Sequence, residues 1–141
     1  MVHVLETGLE YMEINNPTGK PAVRGYNIIN GQLTSASDAA TFTSTNPAHL
    51  ADCLGEFPLS TRDDVREALH AAHAAFPAWA ATPAPTRGQI IGNMGRLLME
   101  HKDALVALET REIGKTLKES GGEIQEAIDT CLFFQSEGRR L

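Results

Sequence analysis

Near residue 60 the spacing of apolar residues changes from two to 3.6, so the chain must put strands first and helices after. Ser60 or Thr61 can cap the first helix, with Asp63 or Asp64 completing a capping box and favouring the positive end of the helix dipole. Val65, Ala68, Leu69, Ala72 and Phe76 then form one apolar stripe, and Pro77 disfavours helix at Phe76 and ends it. "AATPAPTRG" reads as a connector in which Thr82 or Thr86 caps the next helix. Ile90, Ile91, Met94, Leu97 and Leu98 begin a second stripe, continued by Leu105, Val106 and Leu108 to Ile113, where Gly114 supplies a left-handed stop. A third helix is expected over 117–138, with Ile124, Ile128, Cys131, Leu132 and Gln135 on one face and Phe133 and Phe134 beside it. Gly121 and Gly122 would cost about 1 kcal/mol each inside it. Its first turn is therefore expected later, capped by Ser120 with Glu123.

Upstream of residue 60, Pro17, Gly19 and Pro21 break residues 1–24 into a loosely ordered extension. "YNIINGQL" carries Asn30-Gly31, a pair that accepts positive φ at both turn positions, so a hairpin is expected from 26–29 into 32–34. "TFTST" at 41–45 reads as a strand ended by Asn46-Pro47. "LADCLGEFPL" reads as another, confined by Gly55 and Pro58 to an edge or a bulge. The residues thus describe an α+β piece: an N-terminal β-hairpin and short strands, then three amphipathic helices.

Charge and composition narrow the partners. Twelve basic against eighteen acidic residues leave a net charge of -6, which disfavours nucleic acid and anionic membrane. No apolar run is long enough for a membrane span. The start "MVHVLETGLEYMEINN" has neither the basic flank nor the apolar core of a secretory signal. Two cysteines outside any motif fit a reducing compartment, so a cytoplasmic protein is expected.

The short motifs yield little chemistry. "NNPTGK" at 15–20 looks like the Asn-Asn-Pro-Thr-Gly signature with which aminotransferases hold pyridoxal phosphate. Only fourteen residues precede it here, and Asn-Pro-Thr-Gly is ordinary turn chemistry. Gly92-x-x-Gly95 resembles a KH-type backbone clamp, but also suits close contact inside a helix. His70 and His73 stand three apart on a helix without a third ligand nearby, which reads as a solvated flank. Cys53 and Cys131 lack a histidine partner and read as core fillers. Neither Gly-x-Gly-x-x-Gly nor a Walker sequence occurs.

Taken in order, however, "YNIINGQL", "TFTSTNPAH", "LGEFPLSTRDDVREALHAAHAAFPAWAATPAPTRGQII" and "LETREIGKTLKESGGEIQEAIDTCLFFQSEGRRL" resemble the start of an aldehyde dehydrogenase of the NAD(P)-dependent superfamily, from about Tyr26 to Leu141. Asn30-Gly31, Asn46-Pro47, the helix ending in "AFPAW", the "EIGK" turn and the "GEIQEAID" helix coincide in sequence. "GEFPLST", "TPAPTRGQI" and "SEGRRL" resemble the branch acting on semialdehydes such as 2-oxoglutarate semialdehyde.

The resemblance implies an α/β fold with a Rossmann-like cofactor domain, NAD or NADP as cofactor, a small aldehyde as substrate, and homodimers or homotetramers. It implies oxidation through a cysteine thiohemiacetal and hydrolysis of the thioester by a glutamate-activated water. None of the residues that act in that reaction maps onto this chain, so no catalytic or cofactor-binding residue is assigned, and residues 25–141 are expected to be an incomplete N-terminal part of the cofactor domain, inactive alone. The end at "GRRL" fits a partial gene product. One site does map: some members hold a monovalent cation through backbone carbonyls before the Asn-Pro turn and an acidic side chain before the Gly-Lys turn. Here those places are Ser44, Thr45 and Glu112. The alternative is a standalone helical interaction module derived from such a start.

Overall fold

Asn30 and Gly31 take φ of 51° and 74°, and the chain reverses there. The computed structural model describes residues 17–19 and 22–140, together with the backbone of 11 and 12. Its elements are β1 (Tyr11–Met12), β2 (Ala22–Arg24), β3 (Asn27–Ile29), β4 (Gln32–Thr34), β5 (Thr41–Thr45), β6 (Cys53–Pro58), α1 (Arg62–Ala81), α2 (Ala84–Glu100), α3 (Lys102–Ile113) and α4 (Leu117–Glu137). They fall into two compact units, Met1–Phe76 and Pro77–Leu141.

In the first unit β3 and β4 form the expected hairpin, with Ile28 opposite Leu33. The remaining strands make a sheet in the order β1-β2-β6-β5, with β2 and β6 parallel and the other two pairs antiparallel. Residues 22–24, read from sequence as part of a loose extension, are therefore an interior strand, and 11–12 pair beside them. The rest of that extension lies outside the described residues, apart from 17–19. β6 is likewise interior, not the edge expected from Gly55 and Pro58. Gly55 is what admits its neighbour: a Cβ there would sit 2.1 Å from the Val23 carbonyl oxygen. Pro58 ends the strand, where a missing N–H costs least. The bulge half of the expectation holds, because the β5–β6 register shifts between Ser44 and Thr45.

Ala22, Ile29, Ala36, Cys53 and Leu54 are buried in this unit, but so are Asn46 and Asp52. Asp52 is fully buried, and its carboxylate accepts from Thr18 Oγ1 at 3.2 Å and from Asn46 Nδ2 at 3.3 Å. Asn46 N–H donates to the Asp52 carbonyl at 2.9 Å, which closes the 46–52 loop. "NNPTGK" is thus turn chemistry in its described part: residues 17 and 18 form a turn, Gly19 takes φ 68°, and Thr18 is tied to Asp52.

Thr61 and Asp64 start α1 as the expected capping box. Asp64 Oδ2 accepts from Thr61 N–H at 2.7 Å and from its hydroxyl at 2.9 Å, and Asp64 N–H donates back to Thr61 Oγ1 at 3.3 Å. The helix does not stop at Phe76 but runs through Pro77 to Ala81. A proline removes one donor and adds a clash, a local cost that flanking turns can outweigh. Thr82 closes this helix, its hydroxyl donating to the Ala78 carbonyl at 2.9 Å, and does not cap the next. Pro83 instead takes the cap position before α2, with no side-chain cap.

The second unit holds α2, α3 and α4, so the single helix expected after a cap at Thr82 or Thr86 and running to Ile113 is two. The break is at His101, with φ -104° and ψ 14°, while hydrogen bonds His101 N–H to Leu97 and Leu105 N–H to His101 carry the helical ladder across it. Gly114, at φ 76°, ends α3 as expected. α4 begins a turn earlier than expected: Thr116 caps it, accepting from Glu119 N–H at 3.3 Å while Glu119 Oε2 accepts from Thr116 N–H at 3.1 Å. Gly121 and Gly122 therefore sit inside the helix, and no neighbouring atom lies within 4 Å of where their Cβ would be.

The close contact here is α2 against α4. The buried residues of α2 are Gly88, Gly92 and Gly95, and those of α4 are Ser120, Ile128 and Cys131. A Cβ on Gly88 would lie 2.7 Å from the Gln135 carbonyl oxygen, and one on Gly95 2.8 Å from Cys131 Cβ. The apolar stripes on α1 and α2 face outward in part: Val65, Leu69, Phe76, Ile90 and Met94 are each at least 41% exposed.

Candidate functional site

The densest collection of ionisable side chains lies where α3 turns into α4. The Gly114-Lys115-Thr116 turn brings the start of α4 back against the last turns of α3, where Thr110 Oγ1 donates to the buried Ser120 Oγ at 3.1 Å. Lys115 Nζ forms an ion pair with Glu123 Oε1. Glu109, one turn back on α3, sets its carboxyl against that of Glu123. Glu109 Oε2 is buried without a hydrogen-bond donor among the described residues.

Contact with Glu123 raises Glu109 above the ordinary carboxylate range, helped by desolvation. Lys115 lowers Glu123, and Glu123 in turn raises Lys115. The Thr116 hydroxyl and N–H lower Glu119. Asp64 in the other unit is lowered by its bonds to Thr61, against the opposing effect of burial. The sequence reading missed Glu109, Lys115 and Glu123 as a group, although Lys115 and Glu123 stand eight apart across a glycine stop and a helix start.

The three residues assigned from the resemblance fall in different places. Ser44 and Thr45 end β5, an edge strand of its sheet, beside the register shift with β6. An edge strand carries carbonyls without a ladder partner, which suits backbone-oxygen ligands, whereas the extra residue of the bulge, Leu54, is on β6. Glu112 is exposed in the last turn of α3, in the second unit. The fold joins Ser44 and Thr45 as neighbours, and each unit keeps its own share of the candidate donors. Among the described residues no three His, Cys, Asp or Glu side chains converge as a metal-binding group.

The other candidates become structural. Neither Cys53 nor Cys131 is in a disulfide, and both are buried, at 8% and 6% exposure. His70 and His73 are exposed on α1. Gly92-x-x-Gly95 is mid-helix, and its open side is filled by Gln135 and Cys131 of α4. That also decides the fit of a dinucleotide to these residues. Its phosphates need free N–H groups at a helix N-terminus or glycine turn, and the α2 glycines present neither. A groove of about 550 Å³ does run between α2 and α4, bordered by Trp79, Ile91, Met94 and Phe134 with Arg87 and Glu137 at its edge, and Cys131 in its wall is itself a buried residue. No helix of the described residues is long and apolar enough to cross a membrane.

What geometry and sequence define, then, is a scaffold: a small mixed sheet with a hairpin, and a glycine-closed helical unit. The aldehyde dehydrogenase family model matches residues 33–141, and the chain belongs to that family. It is 41% identical over 114 residues to the NADP(+) succinate-semialdehyde dehydrogenase GabD of Escherichia coli (strain K12), covering 81% of this chain and 23% of that protein. It is 36% identical over 115 residues to an alpha-ketoglutarate semialdehyde dehydrogenase of Haloferax volcanii, covering 82% and 24%. Among solved structures, the NAD-dependent aldehyde dehydrogenase from Sinorhizobium meliloti aligns with TM-score 0.82 at 25% identity, covering 94% of this chain and 27% of that one. An NADP-dependent enzyme of E. coli aligns with TM-score 0.78 at 41% identity, covering 83% and 24%. The chain thus spans about a quarter of the length of the relatives it matches.

Proposed function

We propose that this chain is the N-terminal scaffold of an NAD(P)-dependent dehydrogenase that oxidises a small semialdehyde to a carboxylate. The observation that carries this is the 41% identity to a succinate-semialdehyde dehydrogenase over residues whose cysteines are both buried core fillers. When bound, the nicotinamide would accept the hydride. Residues 25–141 supply none of its ligands and serve as the opening part of its domain. Their own work is to hold backbone in place: Asp52 closes the Asn46-Pro47 turn, and the Gly114-Lys115 stop leaves Glu112 exposed at the end of α3. The protein works in the cytoplasm as a homodimer or homotetramer.

The test is a chimera in which residues 26–141 replace their counterpart in the E. coli succinate-semialdehyde dehydrogenase. The expected result is NADP-dependent oxidation of succinate semialdehyde within about tenfold of the parent, a loss of about 1.4 kcal/mol or less. The isolated chain should give no aldehyde-dependent NADPH or NADH. A chimera that folds and assembles yet is inactive would falsify the scaffold reading, as would turnover by the chain alone.

A second reading, a helical interaction module, draws on one observation: Pro77–Leu141 is a compact unit with its own buried contacts. Cooperative melting of residues 77–141 alone, without dye-detected apolar surface, would favour it.

A further inference from the structure

We propose that Glu109 and Glu123 share one proton at the α3–α4 junction, with Lys115 completing a charge-neutral triad whose loss of that proton loosens the junction. Charge and the supply of donors both require it. Glu123 Oε1 is taken by Lys115 Nζ. Glu109 Oε2 is buried, and no N–H or O–H of the described residues reaches it. Its carboxyl lies against that of Glu123. Two carboxylates in contact repel, and a single lysine neutralises only one of them. A buried carboxylate oxygen without a donor costs far more than the same oxygen carrying a proton that it gives to its neighbour. The pair therefore titrates as a unit, in two macroscopic steps.

Every element that bears on the pair contributes charge. From α3 itself Glu112 adds negative charge, and from the turn Lys115 adds positive charge. From α4 Glu119 acts on Lys115, but its carboxylate is held by Thr116. α2, which also touches α3, carries Arg96 and Glu100, Arg96 being engaged by Asn93 of its own helix, and α3 also carries Arg111, which is itself engaged. Among the described residues, none of these groups gives Glu109 Oε2 a hydrogen bond.

The direction comes from linkage. A carboxyl held protonated in the fold contributes stability in acid, and that contribution is lost as pH rises through its folded value. Glu123 does the reverse, since its ion pair is lost as pH falls through a lowered value. The chain should therefore be most stable at an intermediate, mildly acidic pH.

The test is thermal melting from about pH 5 to about pH 8 for the chain and for Glu109→Gln, whose amide supplies a donor that cannot ionise. Side-chain carboxyl carbon-13 titration of Glu109 in the unmutated chain is read alongside. We expect a falling midpoint in the unmutated chain, a flattened profile in Glu109→Gln, and a midpoint about 2–4 °C above the unmutated chain at the alkaline end. The Glu109 carbon should titrate above the ordinary glutamate range. Glu109→Gln melting lower at every pH, or failing to fold, would mean that Glu109 works as a carboxylate, and the proposal falls. A Glu109 carbon titrating at or below the ordinary range overturns it too. So does an alkaline midpoint that rises when sodium replaces N-methylglucamine at equal ionic strength in the unmutated chain but not in the variant, since the orphan oxygen would then take a metal cation in place of the proton.

Discussion

The two units solve one problem, bringing backbone close to backbone, in opposite ways. In the strand unit Gly55 opens the way for β2, and the obstacle a side chain would meet is the Val23 carbonyl. In the helical unit three glycines share the task along α2, and what a side chain would meet differs at each: backbone of α4 at Gly88, the end of the Gln135 side chain at Gly92, Cys131 Cβ at Gly95. A contact made at one point against rigid backbone has no way to relax. A contact spread over a helix face can yield at its flexible members. The difference teaches where each unit should tolerate change.

Gly55→Ala should break the strand unit most severely, since its Cβ would sit 2.1 Å from a peptide oxygen. A loss of about 4 kcal/mol or more is expected, near the upper end for single substitutions. Amide exchange of residues 23 and 55 reports it, and unchanged protection there would overturn the rigid-contact account. Ile128→Ala, at the fully buried centre of the helical unit, should cost about 2–5 kcal/mol in denaturant unfolding. Gly88→Ala should cost about 1–3 kcal/mol, because α4 must shift from a 2.7 Å contact with the Gln135 carbonyl, whereas Gly92→Ala meets only the movable end of that side chain and should cost less. If Gly92→Ala proves the worse of the two, side-chain compliance does not govern this interface.

Thr116→Ala should remove about 1 kcal/mol at neutral pH. Its bonds lower Glu119, so their contribution is present above the ordinary glutamate range and fades as pH falls through the lowered value. The gap between the two melting profiles should close in acid. Smallest in size and opposite in sign, Gly121→Ala should stabilise by about 0.5–1 kcal/mol, because nothing occupies the space and alanine is the better helix former.

Local signals were legible where one residue decides the backbone. Asn30-Gly31 fixes the hairpin and Gly114 stops α3, as read from the sequence, and Thr61 with Asp64 opens α1, one of the pairs that the sequence offered. Two capping boxes, Thr116 with Glu119 and Ser120 with Glu123, are equally good as patterns. The fold chooses the first because Ser120 is fully buried against Thr110 and Glu123 is taken by Lys115. Strand order was not legible, since the β2–β6 pairing joins residues some thirty apart through a glycine that reads equally as a breaker. The family came from the order of segments, which no single motif carries. Ser44, Thr45 and Glu112 came from that resemblance alone, and their spacing would not have singled them out.

Asp64 does more than start a helix. Its carboxylate grips the start of α1 at Thr61 and also accepts from Ser37 N–H at 3.0 Å, while Ser37 Oγ lies 3.0 Å from Thr61 Oγ1. Residues 24 apart are thereby fastened at one point, and everything between them, β5 and β6 included, becomes a closed ring. The clasp does without sulfur what a cystine bridge does for a secreted protein, so a reducing environment leaves it intact, and acid strong enough to protonate Asp64 is what would undo it.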